Sequence, residues 1–309
     1  MMTGSKKRRK SLRYTLGEMK SHRTDYLMLL PYMLLFTFFT VLPVTASIIL
    51  GFTDFNLLQM PNFVGLDNYI NLFLNDDIFV IAVKNTLMFA VVTGPISYFA
   101  CLMLAWVVNE LSPGMRTFMT FLFYAPSISG NLYVIWSYIF SGDMYGWANG
   151  ILMNLGLIST PIAWLSDARY MMTIVMVVQI WMSFGTGFLS FVAGLQGIDR
   201  SMYEAGAIDG ISNRFQELIY LTLPSMGPQL MFGAVMQISA SFSAGAVCMA
   251  LCGNPSTDYA TSTIISHISD YGTTRYEMGY ASAMATLLFV VMILTNNLIS
   301  KILRKYTAC

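Results

Sequence analysis

Gly197-Ile-Asp-Arg-Ser-Met-Tyr-Glu-Ala-Gly-Ala-Ile-Asp-Gly210-Ile-Ser-Asn-Arg-Phe-Gln-Glu-Leu-Ile-Tyr-Leu-Thr-Leu-Pro224 separates two long apolar runs, Tyr170–Gly194 and Gln229–Leu251. Its spacing predicts two short helices. Ser201 and Glu204 have the S-x-x-E arrangement of a capping box, in which the hydroxyl accepts an amide proton while the Glu reaches back. Gly210 fits the left-handed position that ends a helix. Ser212 can cap the second helix, whose apolar face runs Phe215, Leu218, Ile219, Thr222 until Pro224 stops it. Ala205, Gly206 and Ala207 leave one side of the first helix nearly bare. Two readings of that bareness stay open on chemistry alone. Another protein's groove could approach the backbone there, or the small residues could pack on a bundle while Glu204 only caps.

Four more apolar runs accompany the flanking pair: Tyr26–Gly51, Ile81–Val108, Thr117–Phe140 and Met278–Ile302. Each can cross about 30 Å of hydrocarbon, which takes about 20 helical residues. Pro126 and Gly130 are placed to break or bend the third. Composition agrees: of 309 residues 56% are apolar and 11% charged, against roughly 25% charged in globular chains. Mean hydropathy is +0.60. A soluble domain could not cover so much apolar surface, so a soluble enzyme, a disordered chain and a secreted disulfide scaffold are excluded. The first run is too long for a cleaved leader and no small-x-small site follows it. The fold class is therefore an all-α integral membrane protein of six helices, with no alternating barrel pattern.

Basic residues set the orientation. Lys6, Lys7, Arg8, Arg9, Lys10, Arg13, Lys20, Arg23, Arg116, Arg200, Arg214, Lys301, Arg304 and Lys305 fall on one side of this topology. The other side keeps Lys84, Arg169 and Arg275. The excess predicts cytoplasmic termini. A basic tail (1–25), a six-helix domain (26–302) enclosing the 195–228 loop, and a short tail (303–309) follow. The Lys6–Lys10 run reads as a topology anchor rather than a nucleic-acid site. Outer loops span about Phe52–Val80, Ser141–Arg169 and Cys252–Glu277.

No Asp or Glu lies inside the six spans. Proton relays need such groups, and the chain has no phosphate-binding G-x-x-x-x-G-K-[ST] loop. Energy for uphill transport must then come from another polypeptide. Catalytic and metal constellations are also missing: His22 and His267 stand apart, and Cys101, Cys248, Cys252 and Cys309 lack ligand spacing. A path for a polar solute has candidates. Gln179, Ser183, Thr186 and Ser190 share one helical face, as do Gln237 and Ser241 with Gly233, Cys248 and Cys252. Trp181, Tyr124, Tyr133 and Trp136 could stack on sugar rings. The competing reading is that such small and hydroxyl residues glue helices together.

The 197–224 loop resembles the EAA motif of ATP-binding-cassette importer permeases: E-A-A, three residues, Gly, a spacer, then I-x-L-P. Glu204, Ala205 and Gly210 match, Gly206 replaces the third Ala, and Leu221-Thr-Leu-Pro224 stands for the last element after a spacer one residue longer. Pro43, Phe52-Thr-Asp54, Phe63-Val-Gly-Leu-Asp-Asn-Tyr69, Phe79 and Asn85-Thr86 are similar to the N-terminal pattern of the carbohydrate branch. The likeness covers about Leu30 to Lys301.

What it implies is a maltose-permease-like, type I permease of a prokaryotic cell membrane that is not itself an enzyme. Ser201, Glu204, Ala205, Gly206, Asp209 and Gly210 would form a coupling helix in a cleft of a cytoplasmic ATPase. ATP and magnesium would sit on two ATPase copies and no cofactor on this chain. A second, different permease and an extracytoplasmic binding protein would complete the assembly in the lipid. Gln179 and Trp181 match a polar-x-Trp stretch that helps hold solute. Tyr145, Trp147 and Trp164 would face the binding protein, or simply anchor at the interface. The rivals are a stand-alone secondary carrier, which needs coupling groups in the membrane, and a membrane-embedded enzyme, which needs clustered His, Asp or Glu.

Overall fold

The computed structural model describes residues 22–129 and 132–307, with side chains to 303. The Lys6–Lys20 basic cluster, Gly130 and Cys309 lie outside the described residues. Among those described, the chain is helical throughout, apart from loops and one isolated antiparallel bridge between Thr53 and Phe63. The described residues divide into two compact units, one ending at Ile49 and the other beginning at Leu50. The first carries α1 (Arg23–Leu50), an apolar helix with a wide turn at Thr37–Val41 and Pro31 near its start.

The second unit is built around α3 (Asp77–Asn109), preceded by α2 (Asp67–Leu74). At 1.5 Å per residue α3 is about 50 Å long, more than a bilayer's hydrocarbon. It contributes to all three apolar cores. Phe79, Ala82 and Ala90 join Phe242, Met284 and Leu288; Phe89 joins Val175, Val178 and Val247; Cys101, Leu102 and Ala105 join Phe188, Phe191 and Leu230. The outward face of α3 (Val91, Phe99, Val107) is exposed and apolar, as a lipid-facing surface must be.

After α3 come α4 (Pro113–Ile128) and α5 (Tyr133–Ile139), which bend by 93° relative to each other. The break begins at Ser129, which is extended, three residues beyond Pro126; that proline stays inside α4. Next are α6 (Trp147–Asn154), α7 (Ala168–Met182) and α8 (Thr186–Gln196). The predicted fourth span is thus interrupted at Ser183–Gly185, where the Gly185 amide turns back onto the Ser183 carbonyl at 2.7 Å. Then α9 (Arg200–Ile208), α10 (Arg214–Ser225), α11 (Gly227–Phe242), α12 (Gly245–Cys252), α13 (Ile264–Ser269) and α14 (Met278–Thr307) complete the chain.

Four helical stretches are long and apolar enough to cross a membrane: α1, α3, α7–α8 and Met278–Leu303 of α14. Six result if the bent pairs α4–α5 and α10–α11 each count as one. The fifth predicted span is shortened by a break at Ser243–Ala244, and α10 meets α11 at 85°. Pro228 explains that elbow, because a proline in the first turn needs no donor behind it.

Candidate functional site

In the 197–224 loop both helices exist, but their caps differ from the sequence expectation. Asp199, not Ser201, caps α9, its carboxylate accepting from the Ser201 amide at 3.1 Å. Ser201 and Glu204 lie inside α9, exposed, and form no capping box. Asp wins because it stands just before the helix, two residues ahead of Ser201, where its carboxylate reaches the first-turn amides. Asn213, not Ser212, caps α10 by accepting from the Gln216 amide at 2.8 Å, while Gln216 reaches back to the Ser212 amide at 3.1 Å. Gly210 behaves as expected. It has φ +93°, and the Ile211 amide closes onto the Gly206 carbonyl at 3.0 Å in a Schellman stop. Asp209 is the last residue before that stop.

The small face of α9 divides between the two readings. Gly206 is buried against α10: a Cβ there would lie 2.6 Å from Leu221 Cδ1. Tyr203 Oη meets Thr222 Oγ1 at 3.2 Å on the same side. Glu204, Ala205, Ala207 and Ile208 remain exposed. Pro224 does not end α10, which widens into an i→i+5 turn at Leu218–Thr222 and continues to Ser225. The Thr222 hydroxyl donates to the Glu217 carbonyl at 3.2 Å inside the widened turn.

Most of the candidate path residues are engaged with protein. Gln237 Nε2 on α11 donates to the Ser183 carbonyl at 3.1 Å and to Cys101 Sγ at 3.2 Å. That carbonyl is available because the α7–α8 break removes its helical donor. Ser241 donates to the Gln237 carbonyl at 2.8 Å, Ser183 to the Ile180 carbonyl at 2.6 Å, and Gln179 to the Ala240 carbonyl at 3.5 Å. Backbones approach closely here: a Cβ on Gly233 would collide with the Phe191 ring. Gln179 and Gln237 thus bridge helices, Cys101 accepting from Gln237, while the Ser183 and Ser241 hydroxyls bond within their own segments; all four polar residues are buried. Gln237 and Ser241 also edge an apolar cavity of about 380 Å³ between α3, α11 and α14. The break removes the single face expected for 179–190. Thr186 is exposed, and Trp181, half-buried, meets Trp136 edge-on at 5.3 Å.

At the end of the unit where α3 begins, residues of the N-terminal signature act as staples. Asn68 Nδ2 donates to the carbonyls of Gly51 (3.0 Å) and Thr53 (2.8 Å). Asn85 Nδ2 donates to those of Tyr259 (3.0 Å) and Ser262 (3.0 Å), and Thr86 Oγ1 accepts from the Ile264 amide at 2.9 Å. The Asn62 amide and side chain hold the Asp54 carboxyl below its ordinary range. Asp76 caps α3 through the Phe79 amide (2.8 Å) and accepts from His267 Nε2 (2.9 Å) and Tyr280 Oη (3.1 Å). Burial pushes that carboxyl up, but the bonds from His267, Phe79 and Tyr280 outweigh it and leave it below 3.8. Half-buried Trp164 donates Nε1 to Asn149 Oδ1 at 2.9 Å, while Tyr145 and Trp147 are exposed.

The sequence profile of the binding-protein-dependent transport system inner membrane component family matches residues 23–307. The chain belongs to that family. This permease is 30% identical over 286 residues to the probable ABC transporter permease protein YesP of Bacillus subtilis (strain 168), covering 91% of each chain. It is 28% identical to the arabinooligosaccharides transport system permease protein AraP of the same organism, over 88% of this chain and 85% of that one. Its fold resembles a chain of a bacterial ABC transporter involved in import of the acidic polysaccharide alginate, with a TM-score of 0.74, 23% identity and coverage of 93% and 98%. A second structure of such an alginate transporter, in complex with an alginate-bound periplasmic protein, gives 0.78 at 22% identity, covering 94% and 97%.

Membership makes the protein a multi-pass inner-membrane transporter subunit, a class that is not enzymatic. The Asp76–His267 pair of this permease has no local signature in the sequence. Asp76 ahead of an apolar run is a recognisable cap signal, but its partner lies 191 residues away.

Proposed function

We propose that this permease forms half of the path of an ATP-driven carbohydrate importer and is driven through α9 by a cytoplasmic ATPase. The observation that carries this reading is the build of α9: fixed by Asp199 and Gly210, locked to α10 through Gly206, and presenting Glu204, Ala205 and Ile208 outward. A short lever with fixed ends transmits displacement without fraying. Ile208, 87% exposed, gives a partner an apolar anchor. Family membership and relatives named for oligosaccharide transport support the solute class.

In the proposed assembly two ATPase copies hold ATP and magnesium, a different second permease completes the path, and an extracytoplasmic protein delivers solute. Both termini are cytoplasmic and α9 faces the same side. Trp181 and Thr186, exposed or half-buried, contact solute; Gln179, Ser183, Gln237 and Ser241 support that wall from behind.

Replacing Glu204 or Gly210 tests the lever. Each variant inserts normally yet loses ATP-driven uptake in proteoliposomes holding the whole assembly. Full uptake by both refutes the role of α9. Concentrative uptake by the chain alone would favour the stand-alone carrier.

A further inference from the structure

We infer that Arg214 is a positioning residue that links the α9–α10 module to the far end of α3. This rests on the coupling role of α9 proposed above. The guanidinium stands between two carboxylates on different elements: Nη1 meets Glu217 Oε2 at 2.8 Å within α10, and Nη2 meets Glu110 Oε2 at 3.1 Å just past α3. Glu110 belongs to the turn joining α3 to α4. Arg116 Nη2, on the first turn of α4, closes that turn by donating to the carbonyls of Asn109 (2.7 Å) and Leu111 (3.2 Å). A polar cleft of about 560 Å³ lies among these groups, with Tyr203 and Glu204 of α9 on its wall.

The consequence is a second mechanical route. Displacement of α9 passes to α10 through the Gly206–Leu221 contact and the Tyr203–Thr222 bond. From α10 the chain runs through the 85° elbow into α11, and Leu223 packs without polar linkage on the core that holds Cys101, Leu102 and Ala105 of α3. Arg214 adds a direct link to the α3–α4 turn, and α3 runs through all three cores. One push on α9 then moves α3, α4 and α11 together. An Arg suits the task, because its planar fork can serve two carboxylates at once, which a Lys cannot do with fixed geometry. The pair is partly exposed, so the link is modest and graded rather than all-or-none.

The test uses the full assembly in proteoliposomes, reading solute moved per ATP hydrolysed and, separately, the amount of assembled complex. Glu110→Gln and Arg214→Gln each lower the ratio by about twofold to fivefold with assembly unchanged. The double variant is no worse than either single, and Glu110→Lys is worse than Glu110→Gln. Additive singles overturn the link, as does loss of assembly in proportion to loss of uptake. A wild-type ratio in both Gln variants, while Glu204→Ala in the same preparation uncouples, removes Arg214 and leaves the α9 proposal standing. Normal uptake by Glu204→Ala would instead remove that proposal.

Discussion

Asp76 offers a perturbation whose cost can be worked out bond by bond. Its carboxylate caps α3 through the Phe79 amide and takes both the His267 ring and the Tyr280 hydroxyl, with His267 only 5% and Asp76 9% exposed. Asp76→Ala removes the cap, worth about 1 kcal/mol. It also leaves the buried His267 ring and the half-buried Tyr280 hydroxyl without this partner, at about 1–3 kcal/mol each where water cannot replace it. The sum is about 3–7 kcal/mol, the upper end requiring that water reach neither group. Asp76→Asn still caps and can pair with the Tyr280 hydroxyl, so its cost should be about 1–2 kcal/mol. Thermal denaturation of the purified protein in one detergent should rank wild type above Asp76→Asn above Asp76→Ala. Equal stability for Asp76→Ala and wild type would refute the accounting; equal loss in both variants would show that charge alone, not capping, is what counts.

The sign of the pH dependence follows from the same site. The folded carboxyl lies below its ordinary value of 3.8, so Asp76 stabilises the fold above that value. The contribution fades as pH falls through 3.8 toward the lower folded value. Wild type should therefore lose stability more steeply with falling pH than Asp76→Asn, which has no carboxyl to titrate there, and the two curves should converge at low pH.

In the buried seam, Gly233→Ala should destabilise strongly, because its Cβ has no room beside Phe191; a substitution costing under about 1 kcal/mol would show that the ring can move aside. Gln237→Leu removes the donor to Cys101 and one of the donors to the Ser183 carbonyl, which keeps the Gly185 amide, and should cost about 1 kcal/mol in stability while leaving solute affinity within about twofold. A large affinity change without a stability change would return Gln237 to the solute path.

The apolar runs were legible because a 20-residue stretch without charge has few other uses, and all six predicted starts fall within four residues of an observed helix start. Breaks were not. Pro126 drew attention, yet the turn falls at Ser129, and the α7–α8 interruption at Ser183–Gly185 has no proline at all. Such breaks depend on a carbonyl finding a donor elsewhere, here Gln237 from α11, and that donor is remote in sequence. Gly210 was legible because its reason is local, a left-handed residue at a helix end. The caps at Asp199 and Asn213 were shifted by one or two residues because several polar residues compete within one turn.

The N-terminal signature carries a further lesson about where selectivity can lie. Asn68, Asn85 and Thr86 are among its polar members, and their side chains bind backbone carbonyls or an amide of neighbouring segments. Phe79 is buried against Phe73 at 5.6 Å. A group that selects a solute needs a donor, acceptor or aromatic face not already engaged. These residues therefore hold the end of the helical unit together, whatever passes through it. The unengaged polar surface on the interrupted α7–α8 pair is different: Thr186 at the start of α8 is exposed beside half-buried Trp181. If the path proposed above is right, discrimination between solutes falls to such positions, which need not follow the signature that marks the family.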